Sequence, residues 1–370
     1  MTKGHMMKKL IPALALLLAA FPAHADIQVG LAGSFTGENA FLGEQMKHGA
    51  EQAVADINAA GGIKGEKIVL NEMDDACDPK QAVTVANKMA SAGIKFVVGH
   101  ACSGASIPAS KVYNEEQIFM ISPVSSNPAL TDPGYPTIFR TYGRDDQQGA
   151  FIADYIMKHY RDKKVALVND KSAWGRGIVD VQHATFEKNG FHETLFDSFN
   201  QGDRDFSSLI TKFKQNGIQV AFIAGYSTET GLIVRQLHEQ KADVQVMGGD
   251  AIYTNQFWSV TGPLGEGVLM SCNADPRKLP EAQAALAEFH KNGIEPEGYT
   301  LNSYAAVQVV AEAIRRAGPD AIKASAAVRQ SPIKTVIGDL SYDAKGDMIH
   351  PAFAMYRWHD GTYVEAADKP

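Results

Sequence analysis

The sequence predicts an α/β protein made of two Rossmann-like lobes with parallel sheets. Apolar strand-like runs alternate with amphipathic helical stretches along nearly the whole chain, the pattern of a parallel sheet covered on both faces. The alternation comes in two runs, the second starting afresh near Gln147, which implies two lobes. A single β/α barrel has a similar strand count and is the alternative fold. Length and composition agree: 370 residues, 45% apolar and 21% charged, suit two core-bearing domains of roughly 100–200 residues each. They exclude long disorder.

The first 25 residues stand outside the fold. Lys8 and Lys9 precede the apolar run Leu10 to Phe21, and Ala23-His24-Ala25 follows, the small-x-small signature of a secretory leader. The run is well short of the ~20 residues a membrane span requires. Residues 1–25 are therefore expected to be a signal peptide cleaved before Asp26, with Met1, Met6 or Met7 as the start. No Cys follows the cleavage point to take a lipid. Removing the leader deletes Lys3, Lys8 and Lys9 and no acid, so the mature chain is more acidic than the formal charge of −7. With no basic run either, nucleic acid is not an expected partner.

The mature chain opens with a strand from Ile27 to Gly33. A helix follows with Met46, Ala50, Ala53, Val54 and Ile57 on one face, ending at Ala59-Ala60-Gly61-Gly62. Strands from Ile68 to Leu70, Lys95 to Gly99 and Ile118 to Ile121, with a helix from Ala82 to Met89, complete the first run. The second run predicts strands at Val165 to Val168, Glu193 to Phe196, Val220 to Ile223 and Val244 to Met247. Helices fall between them near 149–160, 176–189, 205–216 and 229–240. Helices near 280–291, 300–317 and 320–329 come next, then a strand from Val336 to Tyr342.

Export gives the three cysteines, Cys77, Cys102 and Cys272, a meaning. An oxidising compartment permits one disulfide and leaves one thiol over. Cys77 and Cys102 each follow a strand-like segment, which would put them at one sheet edge. Metal binding is the rival reading, but neither CxxC nor paired-His spacing accompanies them, and the 11 His are scattered singly. No metal site is expected.

The informative residues lie just past the strands. His100-Ala101-Cys102-Ser103-Gly104, Ser122-Pro123-Val124-Ser125-Ser126-Asn127, Asn169-Asp170-Lys171-Ser172, Gly225-Tyr226-Ser227-Thr228-Glu229 and Gly248-Gly249-Asp250 all follow apolar runs. Open α/β sheets bind ligands in the crevice at such carboxyl ends. Ser103 and Ser126 are placed to cap following helices, either as ordinary caps or as parts of an anion site at a helix N-terminus. Catalytic patterns fail in the same places. Gly225-Tyr226-Ser227-Thr228-Glu229 lacks the last Gly of a nucleophile elbow. Gly175-Arg176-Gly177 and Gly265-Glu266-Gly267 lack the third Gly of a dinucleotide fingerprint, and no phosphate loop occurs. The chain reads as a non-enzyme without a cofactor.

Longer matches carry a resemblance. Gly49-Ala50-Glu51-Gln52-Ala53-Val54-Ala55-Asp56-Ile57-Asn58, Asp74-Asp75-Ala76-Cys77-Asp78-Pro79-Lys80-Gln81-Ala82-Val83 and Val98-Gly99-His100-Ala101-Cys102-Ser103 together resemble the bacterial periplasmic leucine/isoleucine/valine-binding proteins. Phe139-Arg140-Thr141, Asp145-Asp146-Gln147-Gln148-Gly149, Asp205-Phe206-Ser207, Tyr304-Ala305-Ala306 and Gly346-Asp347 continue it over nearly all of the mature chain. The resemblance implies a type I periplasmic-binding-protein fold with a three-crossing hinge. The N-terminal lobe would be 26–144 plus 274–352, and the C-terminal lobe 145–273 plus 353–370. It also implies a periplasmic monomer that captures a free aliphatic, branched-chain L-amino acid and hands it to the membrane permease of an amino-acid ABC transporter.

The family's disulfide matches Cys77 and Cys102. Its ligand set matches Ser103 and Ser126 for the α-carboxylate, and the Val124 carbonyl, the Ser126 hydroxyl and Asp250 for the ammonium. Tyr226 matches a tyrosine reaching the carboxylate from the second lobe, and Asp145 an acid of the same set. Leu42 stands at an aromatic lid position, Trp174 at a tyrosine position, and Tyr299 at an aromatic of the side-chain pocket. Asp250 is one methylene shorter than the Glu of the best-known members. These departures leave open a binding protein of the same fold for an amide, polar or aromatic amino acid. A hydrolase in the cleft is the remaining alternative.

Overall fold

In the computed structural model, which describes Met1 and residues 26–366, the strands gather into two large sheets and one hairpin. The leader, apart from Met1, lies outside the described residues. The first run holds β1 (Ile27–Gly33), α1 (Ala40–Ala59), β2 (Ile68–Asp74), α2 (Pro79–Ser91), β3 (Phe96–Gly99), α3 (Ser103–Glu115), β4 (Phe119–Ser122) and β5 (Ile138–Arg140). Its strands form an all-parallel sheet in the order β2-β1-β3-β4-β5. The second run holds α4 (Asp145–His159), β6 (Val165–Asn169), α5 (Ala173–Lys188), β7 (Leu195–Ser198), α6 (Ser207–Asn216) and β8 (Val220–Ala224). It continues through α7 (Ser227–Glu239), β9 (Gln245–Gly248), α8 (Asn255–Thr261) and β10 (Leu269–Asn273).

Three helices, α9 (Gln283–Lys291), α10 (Thr300–Ala317) and α11 (Ala321–Gln330), then return to the first lobe, where α10 lies along α1. A hairpin of β11 (Ile333–Thr335) and β12 (Gly338–Leu340) follows, in place of the single strand expected from Val336 to Tyr342. Val336 and Ile337 form the turn that splits it, and Gly338, at φ 94°, starts β12. Last, β13 (Phe353–His359) and β14 (Thr362–Glu365) add antiparallel to β10, giving the order β14-β13-β10-β9-β8-β6-β7. The chain thus passes between the lobes after β5, after β10 and after β12. The two-lobed parallel α/β class read from the sequence is the fold found.

Local chemistry sets the element ends. Asp78 caps α2, its carboxylate accepting from the Lys80 and Gln81 N–H groups at 2.9 and 2.7 Å, with Pro79 at the first helical position. Gly49 lets α1 meet α10, since a Cβ there would collide with the Thr300 carbonyl oxygen. The inner strands β3, β4, β6 and β8 are nearly continuous apolar runs because both faces are covered, whereas the edge strands β2, β7 and β14 are partly exposed. Strands β5, β10, β13 and β14 were not expected. β5 is only three residues long, too short for a periodicity to show.

Cys77 and Cys102 are joined, with Cα atoms 5.4 Å apart, and Cys272 is a buried thiol on β10. Closing this loop contributes roughly 3 kcal/mol in the chain-entropy account. Thiol titration of the denatured, unreduced protein is expected to find one reactive group. Finding three would refute the pairing.

Candidate binding site

Both lobes turn the same topological feature toward one cleft. In each sheet the first strand of the run lies between the second and the third, β2-β1-β3 and β7-β6-β8. Loops after the first and third strands therefore part to opposite faces and leave a crevice at the strand carboxyl ends. The first lobe fills its crevice with Ala101 and Ser103 after β3, and Val124, Ser125 and Ser126 after β4. Leu42 of α1 and Tyr299 before α10 also reach it. The second lobe supplies Trp174 from the first turn of α5, Tyr226 after β8, and Asp250 and Ala251 after β9. Together these residues line one narrow pocket, well below the ~300–1,000 Å³ usual for drug-sized ligands. The occupant must be small.

Every residue named from the sequence for ligand contact lines this space except Asp145. That residue begins α4 one layer behind, its N–H donating to the Ser126 carbonyl at 2.9 Å. The sequence reading missed Ala101, Ser125 and Ala251, whose only signal was adjacency to the residues it did name. It also misassigned both serine caps. Ser103 is already the first residue of α3, with Cys102 at the cap position, and its hydroxyl instead accepts from the Asn127 N–H at 3.3 Å. After Ser126 it is Asn127 that caps a short 3₁₀ turn, accepting from the Ala129 N–H at 2.9 Å. The helix or turn starts one residue away from where a serine cap would need it.

The two lobes are in contact around the pocket. The Tyr299 hydroxyl donates to Asp250 Oδ2 at 2.6 Å, Asn127 Nδ2 to the Ala173 carbonyl at 2.7 Å, and Gln45 Nε2 to Thr254 Oγ1 at 3.1 Å. Glu297 accepts from the Asn255 N–H at 2.6 Å, and Glu38 pairs with Arg204 across the rim. This is a closed cleft. Trp174 packs against Tyr226 with ring centroids 5.5 Å apart, and Tyr299 meets Tyr142 edge-on at 5.2 Å. With Leu42 they make an apolar wall.

The pocket combines helix N-termini with one buried carboxylate. α3 begins at Ser103 and α7 at Ser227, directly after Tyr226. Both bring helix N-termini, where N–H groups lack intrahelical partners and the dipole favours an anion. Asp250 is 3% exposed, and its Oδ1 is buried without a partner. Burial pushes its carboxyl up to about 6, with the Tyr299 hydrogen bond and the nearby Gln148 and Tyr142 side chains opposing. Asp145 is held well above the usual carboxylate range by burial and by the Asp250 charge, with Ser126 and Arg140 opposing. The Ser126 hydroxyl is near but outside hydrogen-bond geometry.

No Lys, Arg, His or Cys lines the space, so its one acid, Asp250, has no counter-charge there. Such a pocket matches a zwitterion, because burying either charge of one unpaired would cost several kcal/mol. Among the described residues one group of potential metal ligands occurs, Glu266, His359 and Asp360. It is exposed, distant from the cleft and hydrogen-bonded within itself.

Comparison with known proteins agrees with this geometry. The family model described as periplasmic binding protein matches residues 26–362. Leu/Ile/Val-binding protein homolog 1 of Brucella melitensis is 46% identical over 343 residues, 92% of each chain. An amino acid binding protein of Pseudomonas aeruginosa is 44% identical over 346 residues, again 92% of each. The branched-chain amino acid transporter substrate binding protein LivJ of Streptococcus pneumoniae, solved with isoleucine, superposes with a TM-score of 0.83 at 26% identity. That match covers 92% of this chain and 100% of the other. A two-lobed parallel fold, a small closed pocket at both switch points and this degree of identity place the chain in the periplasmic binding protein family, among the Leu/Ile/Val-binding proteins.

Proposed function

We propose that this protein captures a free branched-chain L-amino acid in the periplasm and delivers it to the permease of an ABC transporter. The observation that carries the reading is the pocket's polarity: helix N-termini from both lobes, a buried Asp250 carboxylate with no cationic partner, and an apolar wall. Ser103 and Ser126 take the α-carboxylate and Tyr226 closes over it. Asp250, with the Val124 carbonyl and Asp145 behind, holds the ammonium. Trp174, Tyr299 and Leu42 receive the side chain. The related proteins' names support the ligand class. We further propose export with cleavage before Asp26, and lobes dividing at 144/145, 273/274 and 352/353.

Calorimetry of the mature protein with Leu, Ile, Val, Ala, Thr and Phe tests the reading. Leu, Ile and Val are expected to bind most tightly, separated from one another by no more than about 1–3 kcal/mol, since one methylene in an apolar pocket discriminates little more. Preference for an amide, polar or aromatic side chain, or no binding at all, would refute it. Ser103→Ala removes one hydrogen bond to a charged group and is expected to cost about 1.5–3 kcal/mol of affinity.

Closure is part of the same reading. The carboxylate side of the pocket belongs mainly to the first lobe and Asp250 to the second, so only the closed state matches both ends of the ligand. Small-angle scattering is expected to show the radius of gyration falling when leucine is added. An unchanged radius at saturation would contradict closure.

A further inference from the structure

Behind the first lobe's edge of the pocket lies a buried polar chain that touches no ligand position. Asp75, His100 and Tyr113 are all fully enclosed. His100 Nδ1 lies 2.5 Å from Asp75 Oδ2, and its Nε2 lies 3.0 Å from the Tyr113 hydroxyl. An ionised carboxylate only accepts, so Nδ1 carries a proton and donates it toward Asp75. The other Asp75 oxygen accepts from the Cys77 N–H at 2.8 Å.

The backbone of the same histidine is a second junction. Its carbonyl accepts from the Ser122 hydroxyl at 2.7 Å and from the Ser106 hydroxyl at 3.3 Å. The Ser122 hydroxyl accepts in turn from the Ser125 and Val124 N–H groups at 2.9 and 3.3 Å. Ser125 donates its own hydroxyl to the Ala101 carbonyl at 2.8 Å. One residue therefore joins the loop of Cys77, the loop leading into Ser103, and the loop of Val124 to Ser126.

We propose that Asp75, His100 and Tyr113 form a positioning element for ligand binding, holding the Ser103 and Val124–Ser126 loops at the spacing the ligand's charged ends require. The proposal rests on reading those loops as the ligand edge. A disulfide sets the separation of two backbones and little else. A short charge-assisted hydrogen bond is directional, and a fully satisfied buried network fixes one arrangement of the groups around it. Because Tyr113 lies further along α3, the chain also holds that helix against the loop from which it starts.

The test compares two variants of the disulfide-intact protein by leucine calorimetry and thermal melting. His100→Asn keeps an N–H donor where Nδ1 stands, whereas His100→Gln places its donor where Nε2 stands and loses the link to Asp75. Leucine binding is expected to weaken roughly 10–100-fold in His100→Gln, by analogy with the outer partners that orient metal ligands, and His100→Asn is expected to keep most of the affinity. Equal affinities in the two variants would overturn the proposal, whatever their melting temperatures.

If either variant fails to fold, proton NMR of the parent protein decides. The far-downfield imidazole N–H resonance should move when leucine is added, and a fixed resonance would overturn the proposal. If the parent binds neither leucine, isoleucine nor valine, it is the ligand reading that has failed. Amide exchange at Ser103, Val124, Ser125 and Ser126 then decides: faster exchange in His100→Gln than in His100→Asn supports positioning, and equal rates overturn it.

Discussion

Replacing Asp250 with Ala is expected to weaken amino-acid binding by roughly 3–5 kcal/mol, the cost of leaving a buried charge without its partner. The isosteric Asp250→Asn is expected to do something less usual: to lose affinity and gain stability when empty. Burial raises the Asp250 carboxyl from 3.8 to about 6, so the folded, empty protein holds this proton more tightly than the unfolded chain does. The group's favourable contribution is complete below pH 3.8 and is lost as pH rises through about 6. At pH 8 the ionised carboxylate then costs about 3 kcal/mol, from a shift of about two pH units at 1.36 kcal/mol each. Denaturant unfolding of the empty proteins should show Asp250→Asn ahead at pH 8, with the gap closing toward pH 4. Leucine affinity of the parent should fall below pH 6, because the ligand must then displace a proton. Undiminished binding by Asp250→Ala would show that the ammonium is held elsewhere.

Arg140→Ala is expected to be the most damaging single change to the fold, at roughly 3–5 kcal/mol. The guanidinium is fully buried, with Nε 2.8 Å from Asp347 Oδ1. It also donates to the Ser125 carbonyl at 2.9 Å, the Asn127 carbonyl at 3.0 Å and Thr131 Oγ1 at 2.7 Å. One side chain thus ties the pocket's serine loop to the segment that precedes the last passage between lobes. Removing both charges in Arg140→Met with Asp347→Leu is expected to cost less than Arg140→Ala alone, since Asp347 is no longer left buried without Arg140, although Arg144 then loses its own 2.7 Å contact with Asp347. It will not be neutral, because the Ser125 and Asn127 carbonyls lose their donor. Denaturant unfolding measures all three. A loss below 1 kcal/mol for Arg140→Ala would refute the assignment.

What the sequence made legible follows from what is local. Continuous apolar runs such as Val165 to Val168 and Val220 to Ile223 marked core strands, because burial on both faces writes itself into consecutive residues. Loops past those strands marked the pocket for the same reason, and the family resemblance attached roles to Ser103, Tyr226 and Asp250. Helix starts were less legible: Ser103 looked like a cap and proved to be the first helical residue. Partners distant in sequence were invisible. Arg140 and Asp347 both stood in quoted motifs, yet nothing local says that they meet. The same holds for His100, which stood in a quoted motif beside Cys102 and which the fold joins to Asp75 and Tyr113.

The sheet of the second lobe is finished by strands that follow every other element in chain order. β13 and β14 pair with β10 only after α9, α10, α11 and the β11–β12 hairpin have been laid down against the first lobe. Until then β10 presents an open strand edge, the kind of surface that recruits other chains. Neither lobe is contiguous in sequence, so neither can be completed as an independent unit in N-to-C order, the way separate domains ordinarily fold during synthesis. Completing the first lobe therefore requires the chain through β12, and completing the second requires it through β14. The connections between the lobes thus bind their folding histories together.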